Sequence, residues 1–148
     1  MTFQDHLQQV ATQAVTSISA SEAHDVYVVS FLVYDEDDDP RRPTLTIGYN
    51  TQTQVQQVLA AQPGSELLPA GAPTDEAEAR WNYAFWLQNE LAVIGDSTRD
   101  PVGAQLRDQW IKDSGLWYDE PEAAPVDAPD AWDAVEPRAD QITQCFVQ

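Results

Sequence analysis

Apolar residues recur three and four positions apart at Phe3, Leu7, Val10, Ala14 and Ile18, with Gln and Thr on the other faces and Thr2 placed to cap. This spacing predicts an amphipathic first helix over about residues 2–19. The period then changes. Val26-Tyr27-Val28-Val29-Ser30-Phe31-Leu32-Val33-Tyr34 is β-branched and aromatic on both faces, which predicts a strand in the middle of a sheet. The run from Asp35 through Glu36, Asp37, Asp38, Asp39 and Pro40 to Arg41-Arg42-Pro43 cannot pack and predicts an exposed connection. Thr44-Leu45-Thr46-Ile47-Gly48-Tyr49 then alternates as a half-buried strand does. The runs at 26–34 and 44–49 together predict a β-hairpin with a long charged loop.

Three further helices follow from start and stop signals. Asn50 or Thr51 can cap a short helix over 52–62, which Pro63-Gly64 ends. Asp75 and Glu78 have capping-box spacing, and the acidic first turn suits the helix dipole. A long helix is therefore predicted over 74–94, with Trp81, Phe85 and Gln88 on one line, Tyr83, Leu87, Leu91 and Ile94 on another, and Trp86 with Val93 on a third. Asp100-Pro101 opens a last helix over 101–114, closed by Gly115. The expected fold is α+β, a small antiparallel sheet centred on the hairpin with helices packed mainly on one face. Residues 119–140 hold eight acids and four prolines against one Arg and predict irregular chain. Gln141 to Val147 reads equally as a helical turn or a strand.

A length of 148 residues suits one domain with its own core. Charge changes the picture more than length does. There are 25 Asp and Glu against seven Lys and Arg, a net −18, and Lys112 is the sole lysine. Such a field repels nucleic acid and anionic membranes and attracts a basic protein. The alternative source of the acidity is adaptation of the whole molecule to a saline cytoplasm. The N-terminal residues show neither the basic nor the apolar region of a signal peptide, and the apolar run at 26–34 is far too short for a membrane span. A cytoplasmic location is expected. With Cys145 as the only cysteine, no intrachain disulfide can form.

Candidate chemistry is sparse. Asp35, Asp37 and Asp39 alternate as at the start of a calcium loop, but Pro40 stands at the sixth position, where glycine is needed, and Thr46 at the twelfth, where a bidentate Glu is needed. His6, His24 and Cys145 do not complete a zinc site. There is no phosphate loop, nucleophile elbow or metal-binding His pair, so no catalytic residue, metal or cofactor is implied. What stands out instead are two acidic segments able to meet a basic partner. One is Asp35, Glu36, Asp37, Asp38 and Asp39; the other sets Trp132 as an aromatic anchor between Asp130 and Asp133.

Four features also carry a resemblance. They are the apolar strand Val26 to Tyr34, a second strand running through Asn50-Thr51 into a helix, Arg80-Trp81 followed by Trp86, and the stretch from Gln105 to Gly115-Leu116-Trp117-Tyr118. Over about residues 1–118 the chain resembles a family of small uncharacterised bacterial domains found among the immunity proteins of polymorphic toxin systems. That resemblance implies a cytoplasmic protein that neutralises a toxin by occlusion and brings no catalytic residues with it. Arg80 is expected to pair with Glu76 one turn earlier, and Trp81 to lie in the core. The functional expectation is a non-catalytic acidic recognition protein that binds a basic partner. The alternatives are a small enzyme with a carboxylate-based site and a housekeeping domain whose acidity is a salt adaptation.

Overall fold

The computed structural model describes residues 1–69, 71–119 and 136–147. The fold is α+β, with six helices and a three-stranded antiparallel sheet among the described residues. In chain order the elements are α1 (Phe3–Thr16), α2 (Ala20–Ala23), β1 (Val26–Asp35), β2 (Pro43–Thr51), α3 (Gln52–Ala60), α4 (Glu76–Trp81), β3 (Ala92–Ile94), α5 (Pro101–Asp113) and α6 (Glu136–Phe146). Short 3₁₀ turns occupy Glu36–Asp38 and Tyr83–Phe85.

The caps read from the sequence are made. The Thr2 hydroxyl accepts from the Asp5 amide, and the Asp5 carboxylate accepts from the Thr2 amide in return. Thr51 accepts from Gln54 N, Asp75 from Glu78 N, and Asp100 from Gly103 N with Pro101 at the first helical position. Beyond α5, Gly115 takes φ +71°, its N–H bonds Lys112 O, and Leu116 N–H bonds Ile111 O. That pair of bonds is a Schellman stop, which glycine makes without a Cβ penalty.

Two expectations are corrected. The sheet order is β1-β2-β3, so the mostly apolar β1 is an edge strand and β2 is the middle one. Burial agrees, since β2 is buried at every position but Tyr49, whereas Phe31, Leu32 and Tyr34 of β1 are exposed. Polar threonines did not keep β2 out of the interior: a buried hydroxyl that finds a carbonyl loses little. Thr44 donates to Tyr34 O at 3.0 Å, while the buried Thr46 hydroxyl has no hydrogen-bond partner among the described residues.

The second correction concerns the long helix over 74–94, which does not form. Helix α4 stops at Trp81 because the Asn82 side chain accepts from Ala84 N, giving the backbone a non-helical alternative. Gln88 then takes φ +50°, outside any helix, and Leu91 N–H bonds Ile47 O as the chain enters β3. Sheet pairing thus claims the apolar residues Val93 and Ile94 that helical spacing had claimed.

The chain divides into two compact units, one of Met1–Ala11, Leu32–Thr46 and Val93–Gln148, the other of Thr12–Phe31 and Ile47–Ala92. In the first, Ile111, Tyr118 and Ile142 form the buried centre with Trp110, Leu116 and Trp117 packed around them. In the second, Val55, Val58, Leu68, Ala79 and Phe85 do so, with Tyr27 and Ala61 alongside. Of the stretch 119–140 expected to be irregular, residues 120–135 lie outside the described ones and 136–140 begin α6.

Candidate functional site

Within the first unit, the acidic turn after β1 is largely occupied by its own chain. Asp37 and Asp38 both take φ +58°, a left-handed conformation that Asp tolerates better than most residues. Asp39 accepts from the Arg41 backbone and pairs with its guanidinium at 2.7 Å. Arg41 in turn lies 5.5 Å above the Trp117 ring and 5.3 Å above Tyr118. Glu36 points inward, taking hydrogen bonds from the Ser97 amide and hydroxyl and lying 3.3 Å from the buried Arg107 guanidinium. Of these acids only Asp37 and Asp38 are exposed, the former 3.3 Å from the half-exposed Arg42, a contact worth little. Of the residues expected to meet a partner, Asp130, Trp132 and Asp133 lie outside the described residues.

These placements set opposite titrations. Burial pushes the Glu36 carboxyl up, but the hydrogen bonds from Ser97 and the Arg107 charge outweigh it and leave the group below its ordinary value of 4.5. Asp39 is likewise lowered, burial being outweighed by Arg41 and Arg42. Asp35 is raised, first by burial and then by the Asp39 and Asp38 charges. A lowered folded-state pKa contributes stability above the unfolded value that disappears as pH falls through the folded one; a raised pKa does the reverse. Glu36 and Asp39 therefore favour the folded state at neutral pH and lose that contribution in acid, with Asp35 opposing them. Glu36→Gln is expected to flatten the stability profile below about pH 4.5 in acid-titrated urea melts. A profile as steep as that of the parent protein would contradict this assignment.

In the second unit a different surface is built from buried polar groups outward. Asn50, at the end of β2, donates to the Tyr27 hydroxyl at 2.9 Å. Tyr27 donates to Arg80 O, and the same carbonyl accepts from the Trp86 indole N–H at 2.9 Å. One backbone oxygen thus holds two aromatic pairs together. Tyr27 and Trp81 meet edge to face with centroids 5.6 Å apart, and Tyr83 and Trp86 are tilted at 5.4 Å. The Asn50 side-chain oxygen accepts from Leu87 N, and the buried Gln54 amide donates to Phe85 O at 3.0 Å. These bonds hold residues 85–87 where the helix would otherwise have supplied them.

The outcome of the ring array is exposure. Trp81 is 61% accessible rather than in the core, which corrects the expectation for it, while Phe85 takes the buried place at 2%. Arg80 does pair with Glu76, at 2.9 Å, and its guanidinium stacks 4.9 Å above Tyr27. Beside Trp86 opens a cleft of about 320 Å³ whose walls include Gln54, Glu66, Leu67, Trp86, Leu87 and Gln88. Leu67 and Leu87 of its walls are exposed, as is Tyr83, which does not line it. Because Trp81 is held by one ring contact and is mostly in solvent, Trp81→Ala is expected to cost no more than about 1 kcal/mol in denaturant melts. A loss above about 3 kcal/mol would place the ring in the core after all.

Sequence reasoning did not find this surface. Its only trace was the density of aromatics between Trp81 and Trp86, which helical periodicity assigned to the interior. Among the described residues no group of His, Cys, Asp or Glu is placed to hold a metal ion, and no helix is long and apolar enough to cross a membrane. No protein-family model matches the chain, and no curated protein or solved structure does.

Proposed function

We propose that this chain is a non-catalytic recognition protein whose acidic surface binds a basic protein partner, and that it acts as an immunity-type inhibitor by occluding a toxin. The observation that carries the reading is the charge imbalance of the second unit taken with its exposed aromatics. That unit holds seven carboxylates and, of Lys and Arg, only Arg80, which is already paired with Glu76. Trp81, Tyr83 and Leu87 of the same unit are exposed. Aromatic anchors with a charged rim are the composition of protein-binding surfaces, where the rings supply affinity and the rim steers encounter. The outward Asp37 and Asp38 of the first unit add to the steering field. The likeness of residues 1–118 to immunity-protein domains supports the inhibitor form of the reading.

The test is capture from the lysate of the source cells by immobilised protein, with the retained species identified and its association followed at several salt concentrations. A basic protein whose association slows steeply with salt is the expected result, since exposed charges are screened beyond about 10 Å at 0.1 M. A retained partner that is acidic, or one whose association is indifferent to salt, would overturn the proposal.

A further inference from the structure

Resting on that reading, we infer that the cleft beside Trp86 is the anchor site for an arginine side chain of the basic partner. Its walls combine what a guanidinium needs. Glu66 offers an exposed carboxylate at the rim, Trp86 an aromatic wall, and Leu67 and Leu87 apolar surface for the methylene stem. Guanidinium is favoured over ammonium at such a place because it is planar, stacks on aromatic faces and is more weakly hydrated. At about 320 Å³ the cleft lies at the small end of ligand sites, which suits one long side chain rather than a cofactor.

The same surface already holds one arginine in this manner. Arg80 stacks on Tyr27 while bonding Glu76, so a ring and a carboxylate share one guanidinium a few residues away. The first unit repeats the device with Arg41, which lies over Trp117 and Tyr118 while bonded to Asp39. At the cleft, Glu66 and Trp86 supply the carboxylate and the ring, and the second unit has no Lys, and no Arg other than Arg80, to fill the place. Gln88 shapes the mouth. It is held at φ +50° with its side-chain amide donating to Tyr83 O at 2.6 Å, a left-handed conformation unusual for a non-glycine residue. Trp81 and Tyr83 extend the aromatic surface outside the cleft, where residues flanking the arginine would lie.

The experiment uses fluorescently labelled nona-arginine and nona-lysine peptides, titrated at low salt into the full chain and into Glu66→Gln, Trp81→Ala and Asp37→Asn/Asp38→Asn variants. All the substituted side chains are exposed, so the variants should fold, which circular dichroism checks. The parent protein is expected to bind the arginine peptide about five-fold or more tightly than the lysine peptide, the scale of an exposed or partly desolvated ring–cation contact. Glu66→Gln should shrink that preference towards unity, and Trp81→Ala, which removes a flanking ring outside the cleft, should reduce it only in part, whereas the Asp37/Asp38 variant should weaken both peptides alike and keep it. Equal binding of the two peptides by the parent protein, or a preference that survives Glu66→Gln, would overturn the arginine site and leave the acidic recognition reading standing. Failure of the parent protein to bind either peptide would overturn both.

Discussion

Replacing Arg107 with Met is expected to destabilise the protein by about 3–5 kcal/mol, the cost of removing one partner from a buried ion pair. Arg107 is 1% exposed. Its guanidinium donates to Gly95 O, lies 3.3 Å from Glu36 and bonds Asp108 at 2.8 Å. Methionine keeps much of the apolar stem but leaves the Gly95 carbonyl without this donor and the Glu36 carboxylate without its countercharge. Glu36 is the expensive one, since its side chain is only 11% exposed against 35% for Asp108. For a chain of this length the loss corresponds to a fall in Tm of roughly 10 °C. The cycle with Glu36→Gln separates the causes. If the stranded carboxylate dominates, the double variant should be more stable than Arg107→Met alone. Calorimetry showing the two losses to be additive would mean that the pair is not coupled.

A comparable loss, about 2–4 kcal/mol, is expected from Gly48→Ala, for a steric reason. Gly48 lies in the middle strand, and a Cβ there would stand 2.6 Å from Asn89 O and 2.9 Å from Asn89 Oδ1, with Ser30 Oγ at 3.3 Å. The nearest atom is backbone. It cannot rotate away, so residues 88–90 must lift from β2. Lifting them strains two bonds that tie this segment to the strand, Tyr49 N to Asn89 Oδ1 and Leu91 N to Ile47 O, both 2.8 Å. It also moves Gln88 and Leu87, which line the cleft, so the variant should lose the preference for nona-arginine as well as stability. Asn89→Ala removes only the side-chain bond and should cost about 1 kcal/mol. Urea melts placing Gly48→Ala within about 0.5 kcal/mol of the parent protein would show that the close approach is not maintained.

How much of the site could be read in advance follows from what each residue's partner is. The Arg80–Glu76 pair was legible because helical spacing alone brings residues four apart together. The acidic turn was legible as a charge run, but not the inward fate of Glu36 and Asp39, whose partners Ser97, Arg107 and Arg41 are chosen by how distant and neighbouring segments fold onto the turn. The cleft was not legible, because a helical and a non-helical course for residues 82–91 use the same aromatics. Asn50 and Gln54, some thirty residues earlier, supply the bonds that favour the second.

By itself the sequence determined the caps at Thr2, Thr51, Asp75 and Asp100, the glycine stop at Gly115, the hairpin and the α+β class. Each depends on groups close along the chain, or on an apolar pattern that admits one local structure. Tertiary structure alone decided that β2 and not β1 takes the middle of the sheet, that Val93 and Ile94 become strand, and that Phe85 is buried while Trp81 faces solvent. Apolar side chains carry no directional preference between a helix face and a strand face. The choice between them falls to backbone hydrogen bonds and buried amides contributed from elsewhere in the chain.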